Sequence, residues 1–471
     1  MTAGRPRIAI IGGGLAGMSA ALALRERPGE FEITLYESKR FTGGRAGSFV
    51  DPQSGERVDY CQHVAMGCCT NLLAMMKSVG LEDSFTRHRE LTFLYPGHRP
   101  ARFSKSRWLP APFHLLPSLI RFPYLSWKQS YEISRAMFAL MRTPSNVLRP
   151  VTAQAWLLAQ KQSPHSIRAY WEVVIASALG ESYQQVSMAA VRKVFVDGFL
   201  SSRDACDVLV PKSPLGHLFG SVLPDVVAQK GVDLRLGTKV RSLTAGNDGS
   251  MLLELDKERV VYDHVIVAVP SASISKLLTP DTAHAAGVPR RGFASVPTSP
   301  ITGIHLWFDQ PILDRRHAVL VGTLAQWVFG QSTERGSDEG SHYIQVVISA
   351  SHGLRAVGSE ELIMQVVREL QQAFPEAAAA KLIRSRVVTD PNAVFSLRPE
   401  VNALRPASRT ALPCLHLAGD FVQTGWPATM EGAVISGRMA ASGVLANIGQ
   451  PAISICPGLP PSRCARWLIR A

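Results

Sequence analysis

The chain has 471 residues, beyond the ~250–300 at which one hydrophobic core stops growing, so two domains, or one domain with a large insertion, are expected. A composition of 46% hydrophobic and 18% charged residues excludes a disordered or low-complexity protein. The formal net charge of +13 suits an anionic membrane surface, nucleic acid or a phosphorylated ligand, and does not choose among them.

The first predicted element is RIAII at 7–11, β-branched and strand-like, followed by Gly12, Gly13, Gly14 and Gly17. Arg5 and Arg7 ahead of an uncharged run imitate a signal peptide, but a glycine turn opening a helix over 15–27 accounts for every residue. Gly12 permits the tight turn, Gly14 lets backbone amides approach a pyrophosphate, and Gly17 lets helix and strand pack closely. With Ala16, these are the candidate cofactor contacts of the turn. A second strand over 32–36 ends in Glu37, twenty residues after Gly17, where a carboxylate accepts hydrogen bonds from ribose hydroxyls and repels a 2′-phosphate.

FTGGRAGSF at 41–49 then adds Gly43, Gly44 and Arg45, a second set of exposed amides and a guanidinium for phosphates, which NAD dehydrogenases lack at this place. Cys61, His63, Cys68 and Cys69 follow in a spacing that matches no zinc pattern, so no metal is expected. Seven cysteines without a CxxC pair read as reduced thiols of a cytoplasmic protein.

Residues 87–206 read as mostly helical, with candidates at 128–141, 151–160, 166–179 and 186–199. Within them, WLPAPFHLLPSLIRFPYLSW at 108–127 carries four prolines and one arginine; it is either an interfacial segment that dips into lipid or a buried cap over a cavity. Residues 207–280 offer a helix at 215–229 and short strands at 233–236, 239–243, 251–255, 260–261 and 264–268. Apolar strands at 301–308, 317–322, 326–330 and 342–350 and a helix at 360–374 come next, with Trp307, Phe308, Trp327, Phe329 and Tyr343 facing core or cavity. A strand at 415–418, Gly419, Asp420 and a helix from near Pro427 close the pattern, and the tail 451–471 is expected to be flexible. Beyond the N-terminal run, no uncharged apolar stretch reaches the ~20 residues needed to span a bilayer.

GGGLAG, GGR and AGD followed by EGAVISGR, in this order and at these separations, resemble the amine-oxidase and carotenoid-desaturase superfamily of FAD enzymes over roughly residues 7–447. More narrowly, SFVDPQSGERVDYCQHVAMGC at 48–68 resembles the hydroxysqualene dehydroxylase family, which shows Asn-Gly where this chain has Tyr60 and Cys61. The resemblance implies an α/β fold: a Rossmann-type, GR2-like FAD-binding domain from 1–86, 207–280 and 401–450, and a discontinuous α+β substrate domain from 87–206 and 281–400. It implies noncovalent FAD, with Glu37 on the adenosine ribose, Val240 near the adenine, Arg45 near the pyrophosphate and Asp420 at the ribityl–pyrophosphate region. Thr429 and Met430 would start a helix whose amides face the flavin's pyrimidine carbonyl, with Glu431 as a cap. The implied reaction is reductive dehydroxylation of hydroxysqualene, a long apolar isoprenoid, to squalene for hopanoid synthesis, by a protein peripheral on the cytoplasmic face of the cell membrane.

Such chemistry needs a dry apolar tunnel and a proton donor for the departing hydroxide. His63 is the only side chain of the family-like stretch that titrates near neutral pH and is the candidate donor; Tyr60 is the weaker candidate, and Asp59 and Gln62 stand beside it. Arg398 either lines a tunnel mouth or pairs with a carboxylate. Three alternatives share the fold: a carotenoid or phytoene desaturase or isomerase, an amine oxidase with Trp426 as a cage wall, and an isoprenoid-binding protein without turnover. No second nucleotide fingerprint marks the electron donor, which is left unassigned, and nucleic acid is not expected as a partner.

Overall fold

The β-branched run Arg7–Ile11 forms the middle strand of a five-stranded parallel sheet in the computed structural model, which describes residues 5–27, 31–53, 55–288, 296–330, 341–402 and 404–470. Its strand order is Asp233–Leu236, Glu32–Glu37, Arg7–Ile11, His264–Val267 and Leu415–Leu417. Ile11 pairs with Tyr36 and Val267, and Val267 with Leu417, so Gly12, Glu37 and the Gly419–Asp420 turn all leave at the carboxyl edge of the sheet. That edge is where parallel α/β sheets bind ligands. Helix Leu15–Arg25 packs against helix Met430–Asn447 at backbone distance: a Cβ on Gly437 would lie 2.2 Å from the Ala16 carbonyl oxygen.

A second, seven-stranded mixed sheet has the order Leu382–Phe395, Thr298–Phe308, His342–Ser349, Trp327–Gly330, His317–Leu320, Glu90–Leu94 and Ala101–Ser104. Helix Ser359–Ala373 covers one face through Leu362, Val366 and Leu370. The other face meets helices drawn from 127–200. This is the expected α/β architecture with a sheet-and-helix second layer system. Residues 87–206 are mostly helical, as expected, but also supply the strands Glu90–Leu94 and Ala101–Ser104, which with Leu382–Phe395 were not foreseen. Val240, expected inside a strand, lies in the loop before Ser242–Ala245 and is buried there.

The segment 108–127 has two sides. Phe122 and Leu119 are buried inward, whereas Trp108 is 87% exposed. The tail, expected to be flexible, is instead tied to the body. Cys456 exchanges hydrogen bonds with Asn71, the Ser462 hydroxyl donates to the Ala111 carbonyl, and helix Arg463–Leu468 lies against Met141 and Arg142. Ala465 and Leu468 bury apolar surface that a loose extension would leave in water. Among the described residues, no helix is long and apolar enough to cross a membrane.

Candidate active site

Close packing shapes the glycine turn. Gly12 sits at φ +111°, and a Cβ on Gly17 would lie 1.9 Å from the Gly12 carbonyl oxygen, so strand and helix touch where any side chain would part them. Gly14 stands at the helix N-terminus with no side-chain cap and no acidic residue in the first turn, which leaves the amides around Ala16 available to an anion. Glu37 bends over this turn, its Oε2 accepting from the Gly13 N–H (2.8 Å) and its Oε1 from the Lys39 N–H (2.8 Å). Gly43 donates to the Gly13 carbonyl and bridges to Gly14, bringing Gly44 and Arg45 over the same edge. Thr238 donates to the Glu37 carbonyl, which draws the loop carrying Val240 to the end of this strand.

Arg45 and Asp420, 375 residues apart, meet at 2.6 Å. Arg45 also donates to the Ala393 carbonyl, and the carboxylate beside it holds its guanidinium above its ordinary value. Gly419, at φ +144°, donates to the Ser436 hydroxyl of helix Met430–Asn447 and fixes the turn that presents Asp420. A residue that sequence reasoning missed locks this turn further: buried Arg405 donates to the carbonyls of Asp420, Phe421, Val422 and Trp426. Its burial lowers its pKa to about 10. An isolated arginine carries no sequence signal for such a role, because its acceptors are backbone atoms. Thr429 is the N-cap of helix Met430–Asn447, its hydroxyl accepting from the Gly432 N–H. Glu431 does not cap its own helix, as had been expected. Fully buried, it accepts from Asn71 N–H, Asn71 Nδ2 and Leu72 N–H, and so caps the neighbouring helix Thr70–Ser78; burial raises its pKa.

Residues 62–66 run between this edge and a cavity. Gln62, Val64 and Met66 line the cavity, while Ala65 packs into the core beneath the parallel sheet. His63 shares the alternation with Ala65; its Nδ1–H donates to the Cys61 carbonyl (2.9 Å), which leaves Nε2 as the free ring nitrogen. Burial and then the charge of Arg45 push its pKa below the ordinary histidine value, against that bond's opposite pull. Asp59 is engaged by the chain around Ser48 and Leu215. Its Oδ1 accepts from the Ser48 hydroxyl (2.5 Å) and the Leu215 N–H (2.8 Å), at the start of the helix that begins at Leu215. Tyr60 packs on Phe49, with ring centroids 5.4 Å apart. Cys61, where relatives were expected to carry glycine, keeps φ out of the left-handed region, and burial raises its thiol to about 12. Arg398 donates to Ser396, whose hydroxyl bonds buried Glu181, so it joins a structural network away from the cavity lining. Lys193 sits 4.7 Å from the centre of the Trp426 ring. Among the described residues, no cluster of three or more metal-ligating side chains occurs.

The cavity encloses about 1000 Å³ of empty space, counting its solvent-open mouth. Among the described residues, no Asp, Glu, Lys, Arg or His lines it. Phe93, Phe103, Phe122, Phe195, Trp327 and Phe329 make up much of its wall, and its polar groups are Gln62, Tyr170, Ser177 and Ser349. Trp327 donates to Ser177 (2.7 Å), so these two strand and helix positions are linked. Tyr170 and Phe199 reach the wall from two π-helical turns, Ile167–Trp171 and Val196–Leu200, a widening of helices that recurs at functional sites. Trp307 and Phe308 are core residues, whereas Trp327 and Phe329 face the cavity.

A glycine turn, a second glycine loop with an arginine and an acid at the carboxyl edge of a parallel sheet, beside an uncharged cavity, define a dinucleotide-dependent oxidoreductase. The chain belongs to the flavin containing amine oxidoreductases, a family that matches it over residues 15–445. It is 26% identical to hydroxysqualene dehydroxylase of Zymomonas mobilis, covering 93% of this chain and 99% of that one. It is also 22% identical to 15-cis-phytoene desaturase of Synechococcus elongatus, covering 94% and 96%. Among solved structures it resembles an oxidoreductase from Methanosarcina mazei (TM-score 0.71, 17% identity, 94% and 100% coverage). Cyclohexylamine oxidase from Brevibacterium oxydans is similar too (TM-score 0.68, 16% identity, 95% and 100% coverage). The protein is an FAD-dependent oxidoreductase. The uncapped helix start at Gly14 and the crossing of Arg45 and Asp420 over it fit that cofactor, since they set free amides and a cation where a pyrophosphate carries its charge.

Proposed function

We propose that the protein removes the hydroxyl group of hydroxysqualene reductively, giving squalene and water, with noncovalently bound FAD as its cofactor. The observation that carries this reading is the apolar cavity with no charged side chain among its described lining residues, which matches a hydrocarbon and offers an ammonium substrate no counter-ion. Reduced flavin, when bound, supplies the hydride. The allylic C–O bond breaks, a C–H bond forms in its place, and the departing oxygen takes a proton to leave as water.

In this reading Gly12, Gly14, Ala16, Gly17, Glu37, Gly43, Gly44, Arg45, Val240, Gly419, Asp420, Thr429 and Met430 hold the cofactor. His63 stands outside the cavity wall, close enough to Arg45 at the cofactor edge to feel its charge; with Nδ1–H fixed on the Cys61 carbonyl, it is the proton donor through Nε2 once protonated, to a substrate whose hydroxyl end leaves the cavity at that edge, and Tyr60 is the reserve candidate. The cavity wall excludes water from the reacting carbon. The substrate enters from lipid on the cytoplasmic face of the membrane, consistent with its solubility and with the basic balance of the chain.

The second reading, a carotenoid-type desaturase that moves hydride in the opposite direction, is favoured by the likeness to phytoene desaturase and by the same apolar wall. Purified protein incubated anaerobically with hydroxysqualene and a flavin reductant, with products separated by gas chromatography, distinguishes them. Squalene supports dehydroxylation; its absence, together with new polyene absorbance from phytoene under oxidising conditions, supports the desaturase.

A further inference from the structure

We propose that one face of the molecule docks on an anionic lipid bilayer, and that this face is built from three pieces: the loop 106–113, the outer stripe of helix Trp127–Arg142 and the C-terminal helix Arg463–Leu468. The proposal deepens the reading above and rests on it for the substrate that crosses the surface.

The stripe is set by helical periodicity. Trp127, Tyr131, Arg135, Phe138 and Arg142 fall on one side of the helix, and Ile133, Ala136, Met137, Leu140 and Met141 are buried on the other. Trp127 is 77% and Tyr131 70% exposed, an unusual state for large aromatics in water. The sole acid of this helix, Glu132, is turned away and accepts from the Ser163 and Ser166 hydroxyls. The tail helix extends the same surface: Arg470 N–H donates to the Met141 carbonyl, Arg142 donates to the Leu468 carbonyl, and Trp467 stands 81% exposed. Ser462, bonded to Ala111, and Arg203, bonded to the carbonyls of Ser106 and Leu109, join the tail and the body to the loop bearing Trp108.

Charge selects the partner. Residues 99–171 contain eleven Lys and Arg and one Glu, and the tail 451–470 contains three Arg and no acid, so these two stretches hold an excess as large as the whole chain's +13. Lys105 is committed to Asp204 and Asp207 and Arg102 pairs with Glu90, whereas no other Lys or Arg of these two stretches forms an ion pair among the described residues. Aromatics set among basic residues, on a helix too polar to enter the hydrocarbon, are the composition of an interfacial element. Behind this face, Phe122 lines the cavity from the segment whose outer side carries Trp108 and Phe113, so the docked face and the cavity share one wall.

The test uses the full-length, FAD-loaded protein without substrate. Flotation with vesicles of phosphatidylcholine alone, and of phosphatidylcholine with phosphatidylglycerol, should show binding to the anionic vesicles that weakens as salt is raised. A Trp108→Ser, Trp127→Ser, Trp467→Ser variant and a Lys128→Glu, Arg135→Glu variant, each retaining its flavin spectrum, should each lower partitioning at least about tenfold. Lipids brominated on the acyl chain should quench tryptophan emission of the wild type more than that of the triple variant. Equal binding by wild type and both variants, no preference for anionic vesicles, or a dimer abolished by the same substitutions would overturn the proposal. Squalene formation from detergent-dispersed substrate without vesicle binding would remove the docking face and leave the reaction standing; vesicle binding without squalene would do the reverse.

Discussion

Asp420 and Arg45 meet at the point where the two ends of the chain cross the sheet edge, each held there by a further contact, Arg45 on the Ala393 carbonyl and Asp420 through the turn locked by Arg405. Replacing Asp420 with Ala should cost about 1–3 kcal/mol in FAD affinity, because a hydroxyl or guanidinium is left unpaired in a poorly hydrated site. Arg45→Ala should cost a similar amount, and the double variant should lose less than the sum, since the two act as one unit. Titration of the apoproteins with FAD measures all three; strict additivity would show that the pair is independent of the cofactor. His63→Ala should keep its flavin and lose about 10²–10⁴-fold in turnover. Because burial and Arg45 depress its pKa, the protonated donor accumulates only below the ordinary histidine range, so the wild-type rate should rise as pH falls through and below about 6.5. A flat profile, or equal flavin loss in His63→Ala and Asp420→Ala, would remove His63 from the proton path. Glycines, Glu37, Arg45 and Asp420 were legible in the sequence because short motifs mark them. Arg405 was not, because what it binds is four carbonyls that only the folded turn brings together.

Helix Thr70–Ser78 depends on a carboxylate 360 residues away, since Glu431 accepts from its first free amides. Glu431→Ala should therefore lower the melting temperature by leaving those donors buried and unpaired, at a cost of about 1–3 kcal/mol, with flavin bound at normal stoichiometry. A variant as stable as wild type would show that water takes over the cap. The parallel strands and both long helices of the nucleotide frame were legible from β-branched runs bounded by glycine. Strand Leu382–Phe395 was not: Arg384, Ser385, Arg386 and Asp390 break the apolar pattern, and Pro391 argues against a strand. It lies at the sheet edge beside Thr298–Phe308, where such residues are tolerated. The polar side chains are used there, with Arg384 stacked 3.9 Å over Trp307 and Arg386 donating to buried Asp51. Glu90–Leu94 and Ala101–Ser104 escaped notice because each is too short to show a period before it joins strands from the other half of the chain.

The whole molecule carries a set of neutral histidines in its interior. His114, His305, His317 and His416 are buried, and burial lowers each to about 4. The unfolded chain, with ordinary values near 6.5, binds protons first as pH falls, so their contribution to stability is present above about 6.5 and lost progressively toward 4. Raised Glu431 and Glu172 act in the opposite sense but are fewer. Urea unfolding should give a lower unfolding free energy at pH 5 than at pH 7.5, by on the order of a few kcal/mol; an unchanged value would mean that these rings are hydrated. At this scale the α/β fold class and the cofactor were legible in the sequence, and an apolar tunnel was expected with Trp327 and Phe329 among its candidate residues, whereas most of the wall was not, because it is drawn from residues scattered between Gln62 and Ser349. That cavity is the centre of the functional account, and one experiment addresses it directly. Anaerobic, reduced holoprotein mixed with hydroxysqualene in a single turnover should reoxidise its flavin and yield one squalene per flavin oxidised. Flavin that stays reduced with hydroxysqualene, while the oxidised protein is reduced by phytoene, would contradict the account.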